Sequence, residues 1–354
     1  MAILNFGTSP ADFGSGFYHY NAQTDSTYIG PFVQEGVQLP NDHFVDLGEW
    51  QNATEIWISF HMRNLSTGSD GDIFYIYDEN NEVVMRCSVA GTNCVWEYYD
   101  GAAYQPVATF GDISTTAIRQ DVHILIDATG VAEVYNSGVL ASSWSGDTTN
   151  GGARSFTNRM TGSSNNTGTT TFSAFFVSDE ISTEIEYVQT KPASAGTYAE
   201  WNTTDFGLID GTGVYDREFV ASTTASDRVT YNQTDILEEF GNLTEVIGVG
   251  LSARTWSDNA GVDGLRLMMR SGGTDDFGES ESLADYPEHV KSVFHLDPST
   301  SLSWTFANAK AAEIGFQSEN SVNDFVLLEG DEQSGTDTVH LEGDATDGND
   351  HLVY

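Results

Sequence analysis

Five stretches of this 354-residue chain carry side chains whose type and spacing suit chemistry. Glu180 and Glu184 flank Ser182 in the run EISTE. Retaining hydrolysis of a glycosidic bond needs two carboxyl groups about 5–5.5 Å apart. Strand residues four apart share a face but lie farther apart than residues two apart. No apolar strand frames the Glu180 pair, so it reads as an exposed turn and not as a catalytic couple. Trp96, Tyr98, Tyr99 and Tyr104 gather around Asp100 and Gly101. Aromatic faces stack on sugar C–H groups while carboxylates take hydroxyls, which makes Trp96, Tyr98, Tyr99, Asp100 and Tyr104 the candidate glycan site. Packing of the same rings in a sandwich core is the alternative.

Oxygen-rich turns suit Ca2+, which takes about six to eight oxygen ligands. Asp70 and Asp72, around Gly71, and Asp337 and Asp350, near the C-terminus, are the candidate calcium ligands, with solvated acidic turns as the alternative. Ca2+ is the one cofactor the sequence suggests. Cys87 and Cys94 flank the turn AGTN, and Cys87 alternates with Val83, Met85 and Val89, so both read as reduced, half-buried thiols. The eight histidines are scattered, with no pair at i+2 or i+4, and no transition-metal motif results. There is no G-x-S-x-G and no Gly-rich phosphate loop. The chain therefore reads as a binding or structural protein and not as an enzyme.

The charge balance narrows the partners. Against 53 Asp and Glu stand 13 Lys and Arg, a formal net charge of -40, and Lys191, Lys291 and Lys310 are the only lysines. Such a field repels phosphate, which argues against nucleic acid. No stretch approaches the roughly 18 apolar residues that membrane insertion takes. Molar salt, with a Debye length of about 3 Å, would screen the self-repulsion, so the composition points to a halophilic source. The opening MAILNFGTSPADFGSG has neither a cationic nor an apolar segment of the secretory kind, and no signal peptide is expected.

The elements that must position these residues are strands. In TEIWISFHMR, Ile56, Ile58, Phe60 and Met62 alternate with Trp57, Ser59, His61 and Arg63, the pattern of a half-buried strand. DIFYIYD, a turn at Asp78 to Asn81, and EVVMRCSV predict a hairpin, and a second turn at 90–93 leads into CVWEYYDG. DVHILID, VAEVY and VLASSW follow, separated by turns at 128–130 and 136–138. The Gly/Ser/Thr/Asn-rich stretch from Ser145 to Thr170 reads as mostly loop, and FSAFFVS as the closing strand. The spacing predicts an all-β fold of two tandem antiparallel β-sandwich domains, over 1–190 and 201–320, with 191–200 as linker. Residues 321–354 form a short acidic tail in which LEGDEQSGTDTVH and LEGDATDGNDHLV repeat in register at a spacing of 13. Units that small bury nothing alone, so the tail reads as a flexible arm or an assembly element.

Three runs carry resemblances. The tail's GNDHL, Gly348 to Leu352, resembles calcium-binding RTX repeats, but at a period of thirteen residues instead of nine. DVHILIDATGVAEVYNSGVLASS, with FSAFFVSDEISTEI, resembles the concanavalin A-like/laminin G jelly-roll signature. FHLDPSTSLSWTFANAKAAEIGF, Phe294 to Phe316, is similar to a pattern in virion structural proteins of tailed viruses. In it Thr305 would cap one short helix, Phe306 to Glu313, and Ile314 and Phe316 would return to the sheet. The resemblance implies a decoration, turret, fibre or tail-appendage subunit on the virion surface of a tailed virus, with a haloarchaeal host suggested by the charge. Such a subunit would be made in the host cytoplasm, would contact other virion proteins and itself as a homo-oligomer, and would meet host cell-surface glycans. A free-standing, calcium-dependent lectin module is the alternative.

Overall fold

The computed structural model describes residues 3–7, 23–25, 36–39, 43–64, 71–90, 93–111, 118–164, 170–183, 185, 190, 192–202, 204–205, 220–233, 246–257, 262–285 and 288–320. The protein is all-β, an assembly of antiparallel sandwiches. The first sandwich uses β1 (Ile3–Gly7), β2 (Gln23–Asp25), β3 (Gly36–Leu39), β4 (His43–Ala53), β5 (Glu55–Asn64), β6 (Gly71–Asp78) and β7 (Val83–Ala90). It continues with β8 (Asn93–Tyr99), β9 (Tyr104–Phe110), β10 (Ile118–Leu125), β11 (Gly130–Asn136), β12 (Val139–Gly146), β13 (Thr157–Ser164) and β14 (Thr170–Ser178). One sheet has eight strands in the order β12-β11-β10-β5-β14-β3-β2, with β1 added on β14. The facing sheet has six, β4-β13-β6-β7-β8-β9.

Alternation fills the space between them. Ile56, Ile58, Phe60 and Met62 of β5 point inward, against Phe74 and Ile76 of β6 and Trp96 of β8. The Phe60 ring centroid lies 5.0 Å from Phe74 and 6.3 Å from Trp96. Each such side chain contributes about 1.5–3 kcal/mol through apolar burial. The expected hairpins form: β6 turns into β7 through Asn81, whose N–H reaches Asp78 O at 3.0 Å. β11 turns into β12 through Ser137 and Gly138, with φ of 50° and 79°. Two successive positive φ values match the right-handed twist of the paired strands.

Four sequence expectations need correction. β5 is buried on both faces, since Trp57, Ser59 and His61 are covered as well as the apolar set. Ser182, in the chain after β14, lies on that face against Asp121 and Arg119, and His123 stacks on Trp57 at 4.1 Å. The stretch from Ser145 to Thr170 is not all loop: β13 lies inside the six-stranded sheet, between β4 and β6. Its one large core side chain is Met160, so apolar periodicity gave no sign of it. Pro192–Ala199, expected as linker, is strand β15, paired with β16 (Arg228–Gln233). Its small side chains fit because Glu313 and Thr230 crowd Gly196, where a Cβ would sit 2.6 Å from either. The helix is shorter than expected, α1 (Phe306–Ala311), because Glu313 already belongs to a strand.

The later residues form β17 (Val249–Thr255), β18 (Gly264–Ser271), β19 (Thr274–Phe277), β20 (Glu281–Ser282), β21 (Glu288–Phe294), β22 (Leu296–Asp297), β23 (Leu302–Ser303) and β24 (Glu313–Glu319). A sheet ordered β15-β16-β24-β18-β19, with β20 on β18, faces the β17-β21 pair. Leu251, Val290 and Phe294 meet Leu265, Leu267, Met269 and Trp304 in a second, smaller core. Thr305 caps α1 by accepting from Asn308 N, and Ile314 and Phe316 return to the sheet as expected. β1 ties the two parts together. Lys291 Nζ donates to Asn5 Oδ1 at 3.0 Å and to Phe6 O at 2.7 Å. No helix among the described residues is long and apolar enough to cross a membrane.

Candidate functional site

The outer face of the six-stranded sheet gathers more polar and aromatic chemistry than its strands suggest singly. On β6, Phe74 and Ile76 enter the core, so Tyr75 and Tyr77 point out. On β7, Met85 and Cys87 enter, so Arg86 points out; on β8, Trp96 and Tyr98 enter, so Glu97 and Tyr99 point out. On β13, Met160 enters and Arg159 lies on the other face. Register then aligns them. Asp46 of β4 stands opposite Thr161, Thr161 opposite Tyr75, Tyr75 opposite Arg86, and Arg86 opposite Glu97. That row crosses four inter-strand spacings of about 4.8 Å, a track of about 19 Å. Beside it Arg159 stands opposite Tyr77, and Tyr99 opposite Tyr104.

Each arginine of this face is stacked and paired. The Arg86 guanidinium carbon lies 3.7 Å from the Tyr104 ring centroid, Nε bonds Glu97 Oε2 at 2.8 Å, and Nη1 meets Asp72 Oδ2 at 3.4 Å. Arg159 lies 5.9 Å from the Tyr77 ring centroid and pairs with Asp46. The Tyr75 and Tyr77 rings are 6.2 Å apart, and Tyr99 and Tyr104 are 5.2 Å apart. Tyr75 donates its hydroxyl proton to Asp72 Oδ2 at 2.7 Å. Burial, reinforced by that bond, pushes the Tyr75 hydroxyl well above the ordinary tyrosine value. Burial also raises the Tyr104 hydroxyl, partly offset by Arg86. Burial works against the Arg86 charge, but the bond to Glu97 and the charge of Asp72 hold it above its ordinary value.

The residues expected from sequence divide. Trp96 and Tyr98 are fully buried and are no sugar platform. Trp96 Nε1 donates to Gln120 Oε1 at 2.6 Å in the core. Tyr98 stacks on Trp144 at 4.4 Å and accepts from Arg154 Nη1 at 2.9 Å. Asp100 belongs to the β8–β9 turn: its carboxylate accepts from Ala102 N, Ala103 N and Gln105 Nε2. Those bonds, the Ala103 and Ala102 N–H first, hold it below the ordinary aspartate value. Tyr99 and Tyr104 do lie on the outer face. Asp72 lies there too, and its Oδ2 accepts from Tyr75 and Arg86. Asp70, Asp337 and Asp350 lie outside the described residues, as does the repeat tail. Among the described residues no cluster of three His, Cys, Asp or Glu has metal-binding geometry.

Glu180 is exposed in the turn after β14, and Glu184 lies outside the described residues. Cys87 and Cys94 are free and fully buried, each opposite the other's next-but-one neighbour, with sulfurs 2.9 Å apart. Burial raises the Cys87 thiol well above its ordinary value.

Sequence reasoning missed Tyr75, Tyr77, Arg86, Glu97 and Arg159. The signal was parity. In NCVWEYY, Cys94 marks the inward face and Glu97 the outward one, which separates Trp96 and Tyr98 from Tyr99. The same rule puts Tyr75 and Tyr77 outside in DIFYIYD.

No protein-family model and no curated protein matches the chain. Solved structures similar to it include an endo-β-1,4-glucuronan lyase from the fungus Trichoderma reesei, at 10% identity and a TM-score of 0.34, over 48% of this chain and 94% of that one. The T. cruzi calreticulin globular domain is similar at 7% identity and a TM-score of 0.37, over 51% and 89%. An alginate lyase solved with an alginate trisaccharide is similar at 12% identity and a TM-score of 0.29, over 48% and 99%. These values describe a likeness of layout over about half of this chain.

Proposed function

We propose that the chain is a carbohydrate-binding β-sandwich protein that lays a neutral glycan across the outer face of its six-stranded sheet. The register-aligned row from Asp46 to Glu97, flanked by Tyr77, Tyr99 and Tyr104, carries this reading. Rings offer stacking surfaces, while hydroxyls, carboxylates and guanidinium groups offer hydrogen bonds at strand spacing. Charge favours neutral sugars. Arg86 and Arg159 are already paired with carboxylates, so neither is left to neutralise a uronate in a chain of net charge -40. The Tyr75 hydroxyl proton is held by Asp72 and the Tyr104 hydroxyl is raised above its ordinary value, so both stay protonated, which suits binding better than proton abstraction.

The virion surface, with other virion proteins as neighbours and host glycans as targets, is the setting the sequence resemblance implies for such a module. A mass-spectrometric inventory of purified particles tests that setting. The binding reading itself is tested on an array of neutral and uronate-bearing glycans. Saturable binding confined to neutral glycans is expected, and its absence from every glycan removes the proposal.

A further inference from the structure

Sheet edges expose unpaired N–H and C=O groups, and folded proteins guard them with charge, proline, bulges or shortness. Most described edges of this protein are guarded. β9 carries Pro106, β4 carries Asp46 and Glu49, and β19 carries Asp275 and Asp276. β15 begins at Pro192 and shifts register twice against β16. β17 and β21 hold charges of their own, and β2 is three residues long and ends on Asp25. β12 has no guard but one bulge. It closes the eight-stranded sheet with eight residues, VLASSWSG, holding no ionisable side chain and no proline.

Three of the five large apolar side chains that stand exposed among the described residues lie at this end of the sheet. Val139 is 71% exposed, Leu140 47% and Ile181 59%. Ile181 belongs to the segment that meets the β11–β12 turn, where a Cβ on Gly138 would sit 3.0 Å from Thr183 O. One bulge, at Ala141, interrupts the pairing with β11, and Ser142–Gly146 beyond it is regular. Trp144 packs inward on Tyr98, which turns Ser143 and Ser145 outward.

We propose that β12 pairs antiparallel with β12 of a second copy of this chain, about a two-fold axis within Ser142–Gly146. Two-fold antiparallel pairing of a strand with itself sets residues equidistant from the axis opposite one another, and like charges placed opposite destabilise a sheet. A charge-free edge escapes that cost, and in a chain of net charge -40 a second copy is repelled by most other faces. The union joins two eight-stranded sheets into one and leaves both six-stranded outer faces open. It does not depend on what those faces bind.

Sedimentation equilibrium of the full chain tests the proposal at physiological ionic strength, where the Debye length is about 8 Å. The wild type is expected to be a dimer. Ser143→Lys and Ser143→Asp are each expected to raise the dissociation constant at least about tenfold (about 1.4 kcal/mol), with unchanged thermal melts. Mixing the two variants is expected to restore the dimer, because opposite charges then meet across the axis. Should the Ser143 variants not fold, Ser145→Lys alters another exposed side chain of the same segment and is expected to weaken the dimer likewise. A monomeric wild type, or a folded charged variant that dimerises as tightly as wild type, overturns the proposal.

Discussion

The Arg86 guanidinium lies flat enough on Tyr104 to bring its carbon within 3.7 Å of the ring centroid, while Glu97 holds its Nε at 2.8 Å. The carboxylate fixes the cation, and the cation fixes the ring. A tyrosine held this way loses little freedom when a sugar stacks on its other side, so less binding energy goes into ordering it.

Arg86→Ala is therefore expected to weaken glycan affinity about five- to tenfold, on the scale of about 1 kcal/mol for an exposed cation–π contact. Arg86→Lys is expected to recover little of it, since an ammonium keeps the charge but not the planar stack. Calorimetric titration of both variants checks this, and full recovery by lysine would contradict the stacking role.

Arg154 and Asp78 form a fully buried ion pair, Nε to Oδ2 at 3.1 Å, beside Tyr98. Removing one partner leaves an uncompensated charge in the core. Arg154→Ala is expected to cost about 3–5 kcal/mol of stability in chemical denaturation. A loss below about 1 kcal/mol, the scale of surface pairs, would mean that water reaches this site.

Gly315, in the middle of β24, is a packing requirement. A Cβ there would sit 2.0 Å from Val229 O and 2.9 Å from Thr230 Cα, both backbone atoms. Gly315→Ala is expected to cost about 3 kcal/mol, the upper range for overpacking. Because the clash lies in the second core's sheet, fluorescence of the Trp304 region should report the loss before probes of the first core.

The response to acid has two opposing parts. Backbone N–H groups of Ala103 and Ala102 lower Asp100, and Thr149 lowers Asp147, below the ordinary aspartate value. Groups lowered on folding contribute stability that is present above their unfolded value and is lost as pH falls through the folded one. Against this, protonation of other carboxylates relieves the repulsion of a -40 chain. In molar salt the repulsion is screened, so the melting temperature is expected to fall steadily below about pH 4. In dilute salt it is expected to rise first, as carboxylates of ordinary value begin to protonate below about pH 5, before falling. A monotonic rise down to pH 3 in molar salt would contradict the turn assignments.

Much of the first sandwich was legible because apolar side chains alternate cleanly in β5, β6, β7, β10 and β11. β13 was not, since TNRMTGSS spends one large side chain on the core and reads as a polar loop. β15 was hidden for a related reason: an edge strand mostly of Ala, Ser and Gly has no apolar face to show. The candidate face was half legible. Tyr99 and Tyr104 were found by clustering in sequence, which also swept in Trp96 and Tyr98 from the opposite face. Arg159 and Asp46 could not be found that way, because register brings them together across 113 residues of chain.

The most direct test of the glycan face is calorimetric titration of the wild type and of Tyr77→Ala, Tyr104→Ala and the double variant with a neutral oligosaccharide that the array selects. Each ring lies outside the core, so melting temperatures should hold while affinity falls about three- to tenfold per ring, the scale of about 0.5–1.5 kcal/mol for a ring contact. Unchanged affinity in the folded double variant would contradict the account.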